Sequence, residues 1–401
     1  FIVTDSCGAP NGQGYEMTSD NSGMPRKNIH AFWLFFPAAS LFAALTVPLS
    51  VFSVLSGTGW PPGLLGAGHG HELIFGFALA LVAGYTLGPQ PYRVLTVLFV
   101  LWLLARVSWI LAPESLPAQL LSPAFALLLA RHTVPRFQAA KKWRNRVAGP
   151  LILLLCLLSV VFWLASNTPA ASTPAFPDSR QVLTTAIVGL LLLMTFIGGR
   201  IIAPAVAGTL EKRGIPLEAR VQPRVEATLL ATLLLALLLS FLPVAAPAVG
   251  LLLLAAGFLI VIRTVRWKLW HCRNRPDLLV LALGYLWLAA GAVLSGISLL
   301  TRNDPLASMH LITIGGLGTL STSVMLRLAW QRARRTVPPA WQVAGLASGM
   351  AVAAIARLFA GNTPFLEPTA LWLSAASWSC IYGLVALQVA LLFRRAQNRR
   401  K

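Results

Sequence analysis

Long apolar runs recur along almost the whole chain and constrain its fold more than any other feature. Windows of about 20 apolar residues, enough to cross a bilayer, are centred near residues 43, 80, 102, 124, 156, 192, 234, 254, 289, 317, 350 and 381. The fourth window is the weakest, because it is short and contains Pro123. A segment in lipid must satisfy its own backbone hydrogen bonds, which an α-helix does. The sequence therefore predicts an all-α, polytopic transmembrane helix bundle of about twelve spans.

Composition leaves little room for a soluble domain. The 401 residues are 57% hydrophobic and only 11% charged, a balance typical of polytopic membrane proteins. Residues 1–28 are polar and rich in Gly, Ser and Asn, so we expect a disordered arm there. Residues 29–393 are predicted to form a single transmembrane helical domain, and residues 394–401 a basic cytoplasmic tail.

The net charge of +20 is explained by membrane topology, because the basic residues lie in particular loops. They fall in alternate loops, at 131–146, 212–224, 263–275 and 332–335, and in the tail, whereas the intervening loops carry only Arg180 and Arg302. Basic loops mark the cytoplasmic face, so both termini are predicted to be inside (N-in/C-in). Membrane lipid is the expected partner, and nucleic acid is not. Arg200 and Arg327 end inward spans and are interpreted as anchors that snorkel to that face.

The chain has only six histidines, and three of them are predicted to meet at one face of the membrane. His69, His71 and Glu72 open the second window, and His310 opens the tenth. The predicted topology places both openings at the periplasmic face, with Arg106 at similar depth in the third window. Imidazoles are common ligands of haem and copper, which makes the three histidines candidate ligands. The alternative is that they lie at a wet interface, as expected for the remaining histidines, His30, His132 and His271.

Small residues continue the tenth window after His310. Gly315, Gly316 and Gly318 are followed by a run of Thr and Ser, which is unusual for a helix that faces lipid. Small side chains allow another helix to approach the backbone closely, and they would equally admit a flat macrocycle. From the sequence, both interpretations remain open.

Several of these segments together resemble one family. The stretch that begins at His69, HGHELIFGFALALVAG, resembles the His-x-His-Glu segment of the NnrS family of bacterial membrane proteins. Further stretches agree, namely MTFIGGRIIAP, RTVRWKLW followed by LGYLWLAAG, and MHLITIGGLGTLSTSVMLR. Each string alone is weak, and the combination is specific.

The resemblance implies a haem- and copper-containing protein of the bacterial inner membrane, associated with the response to nitric oxide and with relief of nitrosative stress. Nitric oxide or a related small molecule would be its ligand. His69, His71 and His310 would bind haem or copper, without assignment of residue to metal. Glu72 would orient an imidazole through its free nitrogen. Arg106 would pair with Glu72 or with a haem propionate.

Two positions depart from the family pattern. Ala282 stands where the family usually has a histidine before Leu-Gly-Tyr. The tenth window is followed by Gln331, Arg332, Ala333, Arg334 and Arg335 in place of a Gly-His-Thr-Gly-Arg-like turn. Both missing histidines would lie near the cytoplasmic face. If the family holds two metal centres, the pattern predicts that this chain has lost the inner one.

A secondary transporter is the alternative from another functional class, since about twelve spans and a few intramembrane charges would suit one. Against it, the two halves show no convincing repeat, and the ionisable residues concentrate at helix ends. A third hypothesis, a structural assembly factor for respiratory complexes, predicts that the histidines are dispensable. No catalytic activity can be assigned from the sequence.

Overall fold

A computed structural model describes residues 29–141, 143–167, 177–217, 222–363 and 365–398, and these are almost entirely helical. The exception is one short antiparallel pair, in which β1 (Ile29–His30) lies beside β2 (Pro89–Gln90). This confirms the all-α prediction. The predicted disordered arm, residues 1–28, lies outside the described residues.

The helices follow one another with short connections. In chain order they are α1 (Phe32–Leu55), α2 (Ala67–His71), α3 (Leu79–Thr86), α4 (Tyr92–Leu111), α5 (Leu116–Gln138), α6 (Trp143–Arg146), α7 (Ala148–Asn167), α8 (Ser179–Glu211), α9 (Pro223–Leu239), α10 (Ala246–Arg266), α11 (Pro276–Leu300), α12 (Leu306–His310), α13 (Thr319–Arg334), α14 (Ala340–Phe359) and α15 (Pro368–Asn398). The last helix includes residues 394–398, so the first part of the predicted tail continues α15.

Every predicted window coincides with a helical segment. Among the described residues, nine helices are long and apolar enough to cross a membrane. The other three windows fall on α5, which contains Pro123 and Pro135, on α9, which has 17 residues, and on the α2–α3 segment. A multi-pass helical protein is therefore confirmed, and the full count of about twelve spans stays a prediction.

Two helical segments contain long π-helical stretches, in which backbone hydrogen bonds join residues five apart. Glu72–Ala78 connects α2 to α3, and Leu311–Gly318 connects α12 to α13. The first stretch follows His71 directly, and the second follows His310. π-helical residues are rare and concentrate at functional sites, so both histidine positions coincide with an unusual backbone.

The longest helix, α8, forms the centre of the bundle. In the apolar window of α8, 83% of the residues are buried, compared with 28% in the window of α4, which lies at the periphery. It packs against α7, α9 and α11. The two ends of the chain close the bundle where α1 contacts α15, and the indole of Trp378 donates a hydrogen bond to the carbonyl of Ala43 at 3.1 Å. Such internal hydrogen bonds matter in lipid, where water cannot satisfy polar groups.

The connections alternate between two ends of the bundle. The histidine end includes residues 56–66, 112–115, 301–305 and 360–363, and the basic end includes residues 87–91, 139–141, 267–275 and 335–339. Side chains join neighbouring loops at each end. At the histidine end, Asn362 accepts a hydrogen bond from the amide of Ala307 and donates one to the carbonyl of Asp304. The two histidine-bearing segments thus begin at the same end, as predicted.

Candidate functional site

A buried ion pair lies beside His71 at the histidine end. The guanidinium of Arg106, on α4, donates to Glu72 Oε1 at 2.6 Å and to the hydroxyl of Ser122 on α5 at 2.7 Å. His71 Nδ1 lies 2.9 Å from the same Glu72 oxygen. Arg106 and His71 are each 1% exposed, and Glu72 is fully buried. Four residues from three helical segments therefore share one hydrogen-bonded network.

The network determines which nitrogen of His71 carries a proton. Glu72 accepts a hydrogen bond from Arg106, and a carboxylate paired with a guanidinium has only acceptor atoms. His71 Nδ1 must then be the donor, which leaves the Nε2 lone pair free in the neutral ring. The second oxygen of Glu72 and the Nε of Arg106 are buried with no partner among the described residues. Gly76 makes this arrangement possible, because a Cβ there would lie 2.7 Å from the Arg106 guanidinium.

Aromatic rings hold the imidazole of His71. The ring stacks on Trp109 with centroids 3.8 Å apart, and the ring of Phe162 on α7 lies 4.9 Å away. Trp109 is itself fixed, since its indole donates to the carbonyl of Gly63 at 3.0 Å. His71 thus occupies a rigid apolar niche between α4 and α7.

His69 and His310 form a second group, with Arg357 of α14. His310 Nδ1 donates to the carbonyl of Leu306 at 2.7 Å, so its Nε2 keeps a free lone pair. His69 Nδ1 is buried with no hydrogen-bond partner among the described residues. The guanidinium of Arg357 acts electrostatically on both imidazoles, and His69 acts on His310. Two imidazoles with free nitrogens therefore lie near each other beside a cation.

The three histidines divide between two faces of the α2–α3 segment. Residues two apart on a helix point about 200° apart. His71 turns towards α4 and α7, where it meets Trp109 and Phe162, so His69 turns away from them. In keeping with this, no group of three His, Cys, Asp or Glu side chains positioned to hold a metal ion occurs among the described residues. The structure joins Arg106 to Glu72 and places His69 within electrostatic range of His310, and no contact between His71 and His310 occurs among the described residues.

The glycines of the tenth window face other helices. A Cβ at Gly315 would lie 2.8 Å from the ring of Trp287, and one at Gly316 would lie 2.2 Å from Leu288, both on α11. A Cβ at Gly318 would lie 2.8 Å from the sulfur of Met350 on α14. Close helix packing accounts for these three positions.

Sequence reasoning missed Arg357 and the aromatic niche. Arg357 donates to the carbonyl of Gly361 at 2.7 Å, and no carboxylate pairs with it in the part of the chain that the structure describes. A charge inside an apolar run was the signal that could have identified it. Trp109 and Phe162 carried no such signal, because aromatic residues are common in membrane helices.

The basic end holds its own buried charges. Asp277 accepts two hydrogen bonds of 2.9 Å from Arg275 and one of 2.7 Å from Arg327. Glu226 lies 3.8 Å from both Arg200 and Arg263. Arg200 and Arg327, interpreted as snorkelling anchors, thus also have carboxylate partners.

The basic end also holds the two positions that depart from the family pattern and two of the remaining histidines. Ala282 is buried, and Arg332 is exposed. His132 lies on α5, and His271 lies in a 3₁₀ turn that ends at Cys272. Both are partly exposed. The loss of an inner metal centre stays a prediction.

An apolar cavity lies within the bundle. Its volume is about 120 Å³, and it lies between α3, α8 and α13 with residues such as Val82, Met194 and Leu317 in its wall. Its lining is almost wholly apolar, with Thr86, Ser321 and the ring of Tyr85 among the few polar contributors. A cavity of this kind is suited to small apolar molecules.

The comparison with protein families gives a match over nearly the whole chain. The model described as "NnrS protein" matches residues 29–397, which include every helix from α1 to α14 and nearly all of α15. A search of curated proteins gave no match.

Proposed function

Because the chain belongs to the NnrS family, we propose that it is a haem- and copper-binding integral membrane protein of the nitric oxide and nitrosative stress response. The pair formed by His69 and His310 carries this proposal. Both imidazoles retain a nitrogen that no described protein group occupies, and the guanidinium of Arg357 acts electrostatically on both.

The donor set at this pair fits haem. Iron in haem takes axial imidazole ligands, and the macrocycle bears carboxylates that need a positive partner. His69 and His310 would supply the imidazoles, and Arg357 would supply the cation. The Leu306 carbonyl orients His310 by holding its Nδ1 proton. Bound haem would supply a redox-active iron.

His71 offers a separate position, which we assign to copper. Its Nε2 is available, and Glu72 holds the opposite nitrogen in the manner of a metal-binding imidazole. Arg106 donates a hydrogen bond to that carboxylate. The apolar niche of Trp109 and Phe162 excludes water from the ring.

Nitric oxide is a small, weakly polar molecule that dissolves in lipid, and the central cavity offers it an apolar path within the bundle. The cavity wall includes Leu317 and Val82, which lie on the two segments that carry the histidines.

The topology of the proposal is testable by reporter fusions. The basic loops predict that residues 131–146 are cytoplasmic and that residues 167–180 are periplasmic, in the bacterial inner membrane. We expect a fusion after Arg146 to activate a cytoplasmic reporter and a fusion after Asn167 to activate a periplasmic one. The opposite pattern would move the histidines to the cytoplasmic side and contradict the proposed location of the site.

Spectroscopy with metal analysis tests the function itself. We expect the detergent-purified protein to show a Soret band and to contain iron and copper, and we expect the band to shift when nitric oxide is added. A protein that contains neither haem nor metal after expression with both supplied would contradict the proposal. That result would favour the secondary transporter, for which solute uptake in vesicles is the corresponding assay.

A further inference from the structure

A second cavity lies at the basic end, the end of the bundle opposite His69, His71 and His310. Its volume is about 330 Å³. It lies where α13 ends, α14 begins and the last turns of α15 pass between them. The polar and aromatic residues in its wall are Trp330, Arg334, Trp341, Gln342, Gln388 and Arg395.

The charge in this cavity is positive and has no counterion in the wall. Arg334 and Arg395 line it, and no Asp or Glu does. The guanidinium of Arg334 lies over the ring of Trp330, 4.6 Å from the ring centroid, which holds it in place. Two arginines without a carboxylate favour an anionic occupant, and phosphate is the anion that guanidinium groups bind best in two-pronged geometry.

Two residues of the wall also carry buried polar atoms that lack partners. Trp330 is only 8% exposed, and its indole nitrogen makes no hydrogen bond to any described residue. The side-chain oxygen of Gln342 is likewise buried without a partner. An indole N–H can only donate, so it requires an acceptor that the described residues do not provide. Phosphate oxygens are acceptors, and a glycerol hydroxyl could donate to Gln342.

The backbone adds further donors at the same place. Helix α14 begins at Ala340 after Pro339, with no side-chain cap on its first turn. The first amides of a helix have no partner within the helix, and they carry the positive end of its dipole. Gln342 belongs to this turn, so these amides lie beside the cavity. Such helix ends bind phosphate.

The depth of the cavity indicates that the phosphate belongs to a lipid. The apolar runs of α13, α14 and α15 give way to basic residues at this level, and Trp341 and Leu391 in the wall are 72% and 42% exposed. Exposed tryptophan is typical of the membrane interface. We propose that this cavity binds the headgroup of an anionic phospholipid, with Arg334, Arg395 and the indole of Trp330 on the phosphate. This site is independent of the histidine end.

Lipid binding to the purified full-length protein tests the proposal. The probes are phosphatidylglycerol, phosphatidylcholine with the same acyl chains, and inorganic phosphate, and native mass spectrometry measures the lipid retained. The test variant is Arg334→Gln with Arg395→Gln. The control, Arg332→Gln with Arg394→Gln, removes the same charge from the same two helices at positions that are exposed, as Arg334 and Arg395 also are, but that lie outside the cavity. Trp330→Phe removes one donor and keeps the ring.

We expect phosphatidylglycerol to bind the native protein more tightly than phosphatidylcholine does. The test variant should weaken this binding by roughly tenfold or more, because charge-assisted hydrogen bonds are lost, and Trp330→Phe should weaken it by about threefold. The control should stay within about twofold of the native protein. An equal loss in the control, or equal binding of phosphatidylcholine, would overturn the proposal. Displacement of the lipid by millimolar inorganic phosphate would also overturn it, and would assign the cavity to free phosphate.

Discussion

The His310→Ala variant is expected to lose most of its haem. The imidazole of His310 offers Nε2 as a ligand because its other nitrogen is committed to the Leu306 carbonyl. Alanine supplies no ligand and leaves Arg357 beside an empty space. The His69→Ala variant should show the same loss, because the two imidazoles lie together. The measurement is the Soret absorbance per mole of purified protein, alongside iron content.

The His71→Ala variant tests whether the three histidines form one shared site or two separate sites. Its imidazole lies between α4 and α7, on the opposite face of the segment from His69. We therefore expect this variant to keep its haem and to lose copper. His132→Ala is the matched control, since it removes an imidazole from α5 and leaves the histidine end untouched. Unchanged Soret absorbance in both His69→Ala and His310→Ala would show that this pair does not hold haem.

Hydropathy and charge predicted the parts of the fold that depend on local physics. Each apolar run must hydrogen-bond to itself in lipid, so helix positions could be read from the sequence, including α5 despite Pro123. Loop charge also placed Glu72, Arg106 and His310 at one end, and the structure joins the first two in an ion pair. Which of these residues share one end of the bundle was thus predictable.

Position around each helix axis was harder to predict. The separation of His69 from His71 follows from helix geometry alone, but which face meets α12 depends on the packing of distant helices. The π-helical stretches after both histidine positions come from tertiary contacts that no periodicity in the sequence reveals. Arg357 was missed for the same reason, since its place beside His310 depends on how α14 packs on α12.

The Arg106→Leu variant is expected to destabilise the protein severely. Leucine fills much of the space but leaves the Glu72 carboxylate fully buried without its cation. Removing one partner of a buried ion pair typically costs about 3–5 kcal/mol. Protonation of Glu72 would reduce that cost, but the neutral acid would no longer hold the His71 proton in the same way. Unfolding in mixed detergent micelles, followed by circular dichroism, measures the effect.

The exposed ion pair between Arg180 and Asp304 provides the comparison. Its side chains are 65% and 36% exposed, so Arg180→Leu should cost no more than about 1 kcal/mol. The double variant Glu72→Gln with Arg106→Gln should be less destabilising than the sum of its single changes, since two neutral amides can bond to each other. Equal stability of Arg106→Leu and Arg180→Leu would mean that water reaches Glu72. The carboxylate could not then hold His71 in one protonation state, and the copper position assigned to that histidine would lose its support.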